Sequence, residues 1–397
     1  MRGFKDNIPP ASYAIEHVRN MFEKVSKLYG CDFVDMPLVE EAQLYFRTSG
    51  SASDVCNKEL FEVRKYKGEF EDWVLRPEGT ASCMRAINEA NFMQDHKFAR
   101  LAYFAPMFRY NRPQKGRYRQ FLQAGWEFMG VPGAEIDYEM ILGACEFLNM
   151  LGLKYTLQIN SIGNAQDRQE YRALLSKVMK LDEGQDPLKM LDKAEQINHG
   201  IDNGNDNDIP KISVNADDKQ EFDKLCNMLA KNNIAIEHNP YLVRGLDYYN
   251  ATVFEIKVGD QTVLAGGRYD GLMQQIGGKY LPATGFGAGV EGIVENMHFA
   301  YTNKNIGIIS IDENDYAMQV ASKIRAHVNM LCEESKMELD YSGCIIFWNM
   351  QLKKALQEAD KQGFRYIIIV GETEKKSNIF RFKDLVERKE YCCRFSG

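Results

Sequence analysis

The stretch MFRYNRPQKGRYRQFLQAGWEFMG, residues 107–130, decides the fold of the first part of the chain. Segments 101–109 and 121–129 are strand-like, and Pro113 and Gly116 place a turn between them. The pattern therefore predicts a β-hairpin whose tip and arms carry arginine side chains.

The turn of this hairpin is strongly basic. Between Arg109 and Arg119 there are five basic residues and no acidic one, although the whole chain has a formal net charge of −7. A guanidinium group is a rigid fork that binds phosphate in a bidentate way. The run therefore indicates a polyphosphate site, without saying which one. The alternative is a solvated charged hairpin, which explains the adjoining apolar strand with Trp126 and Glu127 less well.

The rest of residues 1–302 alternates strands with helices. Apolar residues at helical spacing predict a helix over 12–29, ended by Gly30, and then a short strand over Phe33–Val39. Further strands are expected near 72–76, 251–258 and 262–265, and helices near 80–93, 136–151 and after the glycine-rich segment 283–289. Strands joined through long connections predict an α+β catalytic domain, with an antiparallel sheet flanked by helices.

The chain is predicted to divide into domains 1–302 and 303–397. Helices expected over 165–180 and 217–232 enclose a polar, turn-rich stretch (183–210, with a loop at Gly200–Pro210), which predicts a helical insertion at about 165–235. The second domain has the order strand (Ile306–Ile311), helix (316–331), strand (337–341), helix (351–362), strand (Tyr366–Val370). This alternation predicts a small α/β domain with a largely parallel sheet.

Composition limits the class of protein. The first thirty residues lack an apolar core of signal-peptide length, and no run of eighteen apolar residues is found, so no membrane partner is expected. The nine cysteines have neither metal-binding spacing nor a disulfide-dense framework, and we expect them to be reduced. These features predict a cytoplasmic protein. The six histidines also lack metal-ligand spacing, so no structural zinc or other protein-bound metal is predicted.

Several peptides resemble one family. Residues 107–130 resemble motif 2 of class II aminoacyl-tRNA synthetases in its histidyl version, and LVRGLDYY (242–249) and AGGRYDGL (265–272) resemble two signature peptides of histidyl-tRNA synthetases. LRPEGT (75–80), RGFKD (2–6), NSIGN (160–164) and GFGAGVE (285–291) follow in the family's order. The resemblance continues through 358–385 into the family's anticodon-binding domain, so it covers essentially the whole chain. The class I peptides HIGH and KMSKS are absent.

The resemblance implies a histidine–tRNA ligase, which activates histidine with ATP to histidyl-adenylate and transfers it to tRNA(His). It implies catalytic roles for Arg244, Arg109 and Gln123, where the carboxylate of histidine meets the α-phosphate, because two approaching anions need fixed positive charge. The remaining implied histidine-binding residues are Glu78 and Thr80 for the ammonium, Glu127 and Tyr249 for the imidazole nitrogens, Tyr269 as a further wall, and Tyr248. Taken singly, each of these tyrosines is more typical of a core aromatic.

The resemblance also implies a nucleotide site and a tRNA contact. For ATP it implies Phe121 stacking on adenine, Arg117 on the outer phosphates, Arg109, and the motif positions Asn111 and Glu291. Magnesium would accompany ATP without a dedicated protein cage. Arg112 and Gln114 match the loop that meets the acceptor end of the tRNA.

Three positions depart from the family pattern. Asn111 stands where motif 2 has an acidic residue, Gly292 stands where motif 3 has an arginine, and Gly50–Asp54 lacks the family's glutamate. The first two positions belong to the implied ATP site, and the loss of one charge-assisted contact to phosphate costs about 1.5–3 kcal/mol. Weakened use of ATP is therefore expected, unless Lys115, Arg117 or Arg119 compensates.

Two other functions compete with the ligase. One is a histidine-binding synthetase paralogue without aminoacylation, such as the regulatory subunit of ATP phosphoribosyltransferase or a sensor of histidine or uncharged tRNA; the nucleotide-site departures favour it. The other is a non-catalytic RNA-binding protein, which leaves the histidine-shaped set of residues without a reason. The arginine of RGLDYY and the anticodon-binding domain favour tRNA as a partner. A homodimer, formed through the first long helix and the strand near Pro37, is expected from the resemblance.

Overall fold

The computed structural model describes residues 1–49, 58–64, 72–112, 116–179, 185–196, 209–300, 303–326, 330–332, 343–348 and 350–395. The chain divides into two compact units, Met1–Phe299 and Ala300–Gly397. Among the described residues, no helix combines the length and the apolar character that crossing a membrane requires.

The first unit is built on an eight-stranded sheet in the order β1-β5-β6-β11-β10-β9-β7-β8, and a small sheet in the order β2-β4-β3 lies apart from it. Pairs β1/β5 and β7/β8 are parallel and the other pairs of the large sheet are antiparallel, which confirms the predicted sheet type. The strands are β1 (Asp32–Phe33), β2 (Val39–Glu41), β3 (Phe61–Val63), β4 (Trp73–Leu75), β5 (Ala99–Phe108), β6 (Gln120–Met129), β7 (Thr156–Ser161), β8 (Glu237–His238), β9 (Asn250–Val258), β10 (Gln261–Arg268) and β11 (Ala283–Gly289).

Helices cover both faces of this sheet. Their bounds are α1 (Ala11–Leu28), α2 (Ala42–Ser49), α3 (Thr80–Glu89), α4 (Phe92–Asp95), α5 (Ala134–Met150), α6 (Ala165–Val178), α7 (Pro187–Gln196), α8 (Ala216–Lys231), α9 (Leu272–Gln275) and α10 (Val290–Asn296). One core packs α1 and α5 against Trp126 and Phe286. A second core, on the other face, contains Tyr103, Tyr249 and Tyr269. That second face carries the candidate site.

One predicted strand is wrong. Instead of a single strand over Phe33–Val39, the structure has β1 and β2 on either side of Pro37. The carbonyl groups of Met36 and Pro37 accept hydrogen bonds from Arg76 Nη1, at 2.7 and 3.1 Å, rather than from a neighbouring strand. Proline has no N–H to donate to a ladder, so this segment is held by a buried arginine instead.

The helical insertion contains more helix than expected. Helices α6 and α8 match the predicted ones, and α6 begins with a capping box formed by Asn164 and Asp167. Helix α7 lies in the stretch that was predicted to be turn-rich. Its residues Leu188 and Leu191 are buried in the core, and this packing outweighs the polar composition of the surrounding sequence. Most of the predicted loop Gly200–Pro210 lies outside the described residues.

The second unit is a six-stranded sheet in the order β13-β17-β16-β15-β12-β14 with helices packed on it. Its elements are β12 (Asn303–Ser310), α11 (Asn314–Arg325), β13 (Met330–Cys332), β14 (Gly343–Phe347), α12 (Leu352–Lys361), β15 (Phe364–Val370), α13 (Glu372–Ser377), β16 (Phe380–Asp384) and β17 (Lys389–Phe395). The α/β class is confirmed.

The prediction of a largely parallel sheet in this unit is wrong. Only β12, β14 and β15 are parallel, whereas β16, β17 and β13 extend the sheet in antiparallel pairs. The hairpin β16–β17 was not predicted, although the alternation of Phe380 and Phe382 with charged residues is the pattern of a half-buried strand. The predicted strand 337–341 lies outside the described residues.

The cysteines differ from expectation at one position. Cys31, Cys83, Cys145, Cys226, Cys344 and Cys392 are free thiols. Cys393, however, is disulfide-bonded, so the prediction that all cysteines are reduced is wrong for this residue. Cytoplasmic location stays a prediction.

Candidate active site

Strand β6 supplies the base of the site because its side chains alternate between the two faces of the sheet. Ala124, Trp126 and Phe128 point into the core under α1 and α5. Gln123 and Glu127 therefore lie on the opposite face. The hairpin prediction for this region is consistent with the structure: β5 and β6 are antiparallel, and Arg109 N donates to Arg119 O at 2.9 Å.

Two glycines of β11 make room for these side chains. Gly285 is the register partner of Glu127, and a Cβ atom at Gly285 would collide with the Glu127 carboxylate. In the same way a Cβ atom at Gly287 would collide with the amide of Gln123. The glycine-rich run 283–289 is therefore required for a concave floor, which its sequence pattern alone did not establish.

Glu127 is fully buried and accepts hydrogen bonds from three hydroxyl groups. Thr80 Oγ1 donates to Oε1 at 2.7 Å, Tyr103 OH donates to Oε1 at 3.1 Å, and Tyr269 OH donates to Oε2. Burial raises the pKa of Glu127 to about 8, although these hydroxyl groups lower it. A carboxyl group with this pKa can exist in either protonation state near neutral pH.

Glu78 and Thr80 lie where helix α3 begins. The Glu78 carboxylate accepts from Thr80 N at 2.6 Å and from Ala81 N at 2.9 Å, so it caps the helix. Burial raises the pKa of Glu78, and the two backbone N–H groups and the nearby Arg109 guanidinium oppose that rise. Arg109 Nε donates to Pro77 O at 2.8 Å, which fixes the guanidinium beside this loop.

Arg244, from the peptide RGLDYY, lies between β8 and β9 in a turn without regular secondary structure. It forms a buried ion pair with Glu255 of β9, which also accepts from Thr262 Oγ1 at 2.9 Å. Burial lowers the pKa of Arg244, but the carboxylate of Glu255 more than offsets this and raises it above its usual range. Its Nε is buried and makes no hydrogen bond within the described part of the chain. A buried N–H without a partner retains the capacity to donate to an oxygen acceptor.

These residues line one cavity of about 180 Å³. The predicted residues on its wall are Glu78, Thr80, Arg109, Phe121, Gln123, Arg244, Tyr248 and Tyr249. Glu127 and Tyr269 lie behind this wall. Glu127 is hydrogen-bonded to Thr80 of the wall and to Tyr269, and the ring of Tyr269 packs edge to face on Tyr248 of the wall, with 5.7 Å between the ring centroids. The volume is below the roughly 300–1,000 Å³ of pockets for drug-sized ligands, so it suits a small metabolite.

The residues predicted to bind the nucleotide differ in charge and in exposure. Arg109 lies over the ring of Phe121 with 5.5 Å between the guanidinium carbon and the ring centroid. Both carboxylate oxygens of Glu291 accept from Leu122 N at 3.0 Å, and burial raises the pKa of Glu291 to about 6. The side-chain amide of Asn111 lies against the Glu59 carboxylate. Arg117 is exposed.

Gly292 faces Gln261 of β10. A Cβ atom at Gly292 would lie 3.0 Å from Gln261 Nε2, and Gln261 Oε1 accepts from Asn296 at 2.8 Å. A neutral amide therefore borders the position at which the family motif has a cation.

Other predicted residues do not line the cavity or lie outside the described residues. Arg112 is exposed on the hairpin connection, and Gln114, with the rest of 113–115, lies outside the described residues. The same is true of Gly50–Asp54. Within the described residues, no group of three or more His, Cys, Asp and Glu side chains is arranged to hold a metal ion. The absence of a structural metal stays a prediction.

The sequence interpretation missed Tyr103 and Glu255. Tyr103 donates to Glu127, and a Cβ atom at Gly79 or Gly125 would collide with its ring. Glu255 neutralises Arg244. A signal was present for Glu255, because it is a carboxylate within the apolar strand ATVFEIKV, where an unpaired charge is costly.

The family is decided by a comparison with known proteins. A family model described as histidyl-tRNA synthetase matches residues 3–166 and 158–293, and an anticodon-binding domain model matches residues 305–396. The chain belongs to the histidyl-tRNA synthetase family. Its catalytic-domain and anticodon-domain folds are those that the resemblance of the motifs predicted, so that interpretation is confirmed.

Several solved structures have a fold similar to that of this chain. Apo histidyl-tRNA synthetase of S. aureus is 24% identical, with a TM-score of 0.74 over 99% of this chain and 96% of that one. Histidyl-tRNA synthetase of Nostoc sp. PCC 7120 is 16% identical, with a TM-score of 0.71 over 99% and 96%. A protein of Bacillus halodurans C described as an ATP phosphoribosyltransferase regulatory subunit/histidyl-tRNA synthetase is 21% identical, with a TM-score of 0.68 over 93% and 97%. The fold is thus similar to proteins with both kinds of description.

Proposed function

We propose that this chain is a histidine–tRNA ligase, which activates histidine with ATP and transfers it to tRNA(His). The observation that supports it most is the composition of the 180 Å³ cavity, which has two guanidinium groups on its wall and a buried carboxyl group, Glu127, behind it. A free histidine has the complementary groups: a carboxylate at one end and a ring N–H donor at the other.

The cationic side of the cavity would receive the carboxylate of histidine. Arg244 presents a buried Nε without a hydrogen-bond partner in the described residues, and Arg109 lies on the same wall. The carboxylate oxygen attacks the α-phosphorus of ATP, the bond to the β-phosphate oxygen breaks, and pyrophosphate leaves. Both guanidinium groups reduce the repulsion between the two anions, and they act mainly by position and charge. Magnesium bound to the phosphates would neutralise part of the charge on pyrophosphate.

The opposite end would select the side chain. The ionised Glu127 would accept the imidazole N–H at Oε1 after the hydroxyl of Thr80, which lines the cavity, turns aside, and the Tyr249 hydroxyl would contact the other ring nitrogen. Tyr103 and Tyr269 hold the carboxylate by donating to it. An apolar or aromatic competitor would forgo this charge-assisted hydrogen bond, which contributes about 1.5–3 kcal/mol, so it should bind more weakly than histidine.

The nucleotide end supports a second candidate, a histidine-binding paralogue without aminoacylation. Gly292 offers no cation, the amide of Gln261 borders that position, and Glu291 adds an acidic group with a raised pKa. Phe121 and Arg109 remain suitable for a nucleotide base and its α-phosphate. On these grounds the ligase is the first proposal, with weakened binding of the outer phosphates of ATP.

The test is histidine-dependent pyrophosphate–ATP exchange by the full chain, followed by charging of a histidine tRNA transcript. The ligase gives both signals, and omission of histidine abolishes the exchange. Histidine binding without either signal would support the paralogue. RNA binding without histidine binding would contradict both.

A homodimer is part of the same proposal. The predicted interface region, α1 with the following segment, exposes Leu28, Phe33, Leu38 and Val39, whose exposed fractions are 66, 45, 43 and 37%. Exposed apolar side chains become buried when such a region forms an association surface. Light scattering at micromolar concentration should give twice the mass of the chain, and the mass of a single chain would contradict the dimer.

A further inference from the structure

The signature loop, residues 243–249, carries Arg244 but is weakly held by its own backbone. Its Tyr249 N donates to Leu246 O at 3.5 Å, the longest of the backbone bonds described in this region, and the loop connects β8 and β9 without belonging to either strand. The position of Arg244 therefore depends on side-chain contacts to neighbouring elements. Glu255 supplies one of these contacts.

The helical insertion supplies further contacts, through Asp247. Arg172 of α6 donates from Nη2 to Asp247 Oδ1 at 3.0 Å, and Lys189 of α7 lies 4.0 Å from Asp247 Oδ2. Lys189 Nζ is buried and makes no hydrogen bond within the described residues. Arg172 also pairs with Asp186, whose Oδ1 accepts from Leu188 N at the start of α7. Two helices of the insertion are thereby joined to one carboxylate of the signature loop.

The loop also approaches the insertion closely at Gly245. A Cβ atom at Gly245 would lie 3.0 Å from Asp192 of α7. Between the insertion and the loop there remains a crevice of only about 10 Å³, lined by Arg168, Arg172, Leu188, Arg244 and Asp247 among others. Arg244 lines both this crevice and the 180 Å³ cavity, so its side chain lies between the insertion and the cavity.

We propose that the helical insertion positions Arg244 for its ligand: Arg172 and Lys189 hold Asp247, and Asp247 holds the signature loop. Asp247 is a positioning residue, since it acts through Arg244 and does not itself line the cavity. The role in amino-acid binding rests on the proposed function of the cavity, whereas the mechanical link between the insertion and the loop does not.

The variant Asp247→Asn removes the charge and keeps the shape. Its matched control is Glu139→Gln, which removes one carboxylate from the Arg100–Glu139 ion pair; Glu139 and Asp247 have similar exposure, 34 and 35%. Calorimetry should give a histidine dissociation constant raised about fivefold by Asp247→Asn and unchanged by Glu139→Gln. In pyrophosphate exchange the apparent KM for histidine should rise and that for ATP should not.

A second readout needs no ligand. Hydrogen exchange of the unliganded protein should be faster in peptide 242–250 of Asp247→Asn than in the same peptide of the wild type or of Glu139→Gln. A double-mutant cycle of Arg172→Gln and Asp247→Asn should be non-additive in both readouts.

The outcomes separate the two proposals. If the wild type binds no histidine but Asp247→Asn still accelerates exchange in 242–250, the histidine pocket is refuted and the link stands. If the wild type binds histidine and Asp247→Asn changes neither its affinity nor this exchange rate, the link is overturned.

Discussion

Glu127→Gln is the substitution that probes the pocket most specifically. Glutamine has nearly the same shape, and its Oε1 can still accept from Thr80 and Tyr103. On the other side the amide N–H would face Tyr269, whose hydroxyl can turn to accept. The substitution therefore removes a charge from a fully buried group with little change in packing.

The magnitude follows from the contact that is lost. A hydrogen bond to a charged group contributes about 1.5–3 kcal/mol, so the histidine dissociation constant should rise about ten- to hundredfold at pH 8.5. Because the pKa of Glu127 is about 8, the wild-type carboxyl group makes the stronger, charge-assisted hydrogen bond to the imidazole N–H only after it loses a proton. Wild-type affinity should thus increase with pH, by up to about tenfold per unit between pH 6.5 and 8, and the affinity of Glu127→Gln should not.

The same group gives a stability signature with a definite sign. The pKa of Glu127 is raised in the folded state from 4.5 to about 8, so between these values the folded protein binds more protons than the unfolded chain. Its contribution to the unfolding free energy is then lost as pH rises through this window, by at most about 1.4 kcal/mol per unit. Glu127→Gln should lack this loss, and its Tm relative to wild type should be higher at pH 8.5 than at pH 5.

Isothermal titration calorimetry at pH 6.5 and 8.5, with thermal unfolding at pH 5 and 8.5, measures both effects. Equal histidine affinity in the wild type and Glu127→Gln at pH 8.5 would refute the assignment of Glu127 to the imidazole.

Three further substitutions test other walls of the site. Gly292→Arg should be combined with Gln261→Ala, which removes the amide that a side chain at 292 would meet at 3.0 Å. This double variant should lower the apparent ATP KM in pyrophosphate exchange about tenfold, relative to Gln261→Ala alone as the control. An unchanged KM would remove the explanation of weak ATP use. Arg244→Gln should abolish exchange and lower the unfolding free energy by about 3–5 kcal/mol, because it leaves Glu255 buried and unpaired; adding Glu255→Gln should restore the Tm but not the exchange, and restored exchange would argue against a role in the reaction. Tyr269→Phe removes one donor to the buried carboxyl group, so histidine affinity at pH 7 should fall a few-fold and recover at higher pH in a titration series; a loss independent of pH would point to packing instead.

Much of the fold follows from the sequence because strong local signals agree with the tertiary structure. The basic turn between two strand-like arms predicted the β5–β6 pair, and the apolar spacing over 12–29 predicted α1. Where tertiary contacts decide, the sequence patterns were misleading. Pro37 interrupts a strand that Arg76 then holds in place, and α7 is helical because its leucines are buried.

The candidate site was partly predictable for a different reason. Matching motifs to a family gives residue types and their order. Most of the residues predicted in this way to bind histidine do line one cavity. The motifs gave no information on the partners that sit behind them. Tyr103, Glu255 and Gln261 lie outside these motifs, and the register of the sheet brings them to the site.

Selectivity between histidine and phenylalanine tests the central claim most directly. The two ligands share the ammonium, the carboxylate and a planar ring, and they differ in the ring nitrogens that Glu127 and Tyr249 are proposed to recognise. Titration of the full chain at pH 8.5 should give saturable binding of histidine and at least about a hundredfold weaker binding of phenylalanine. Equal affinity for the two, or no binding of histidine, would contradict the assignment of this cavity.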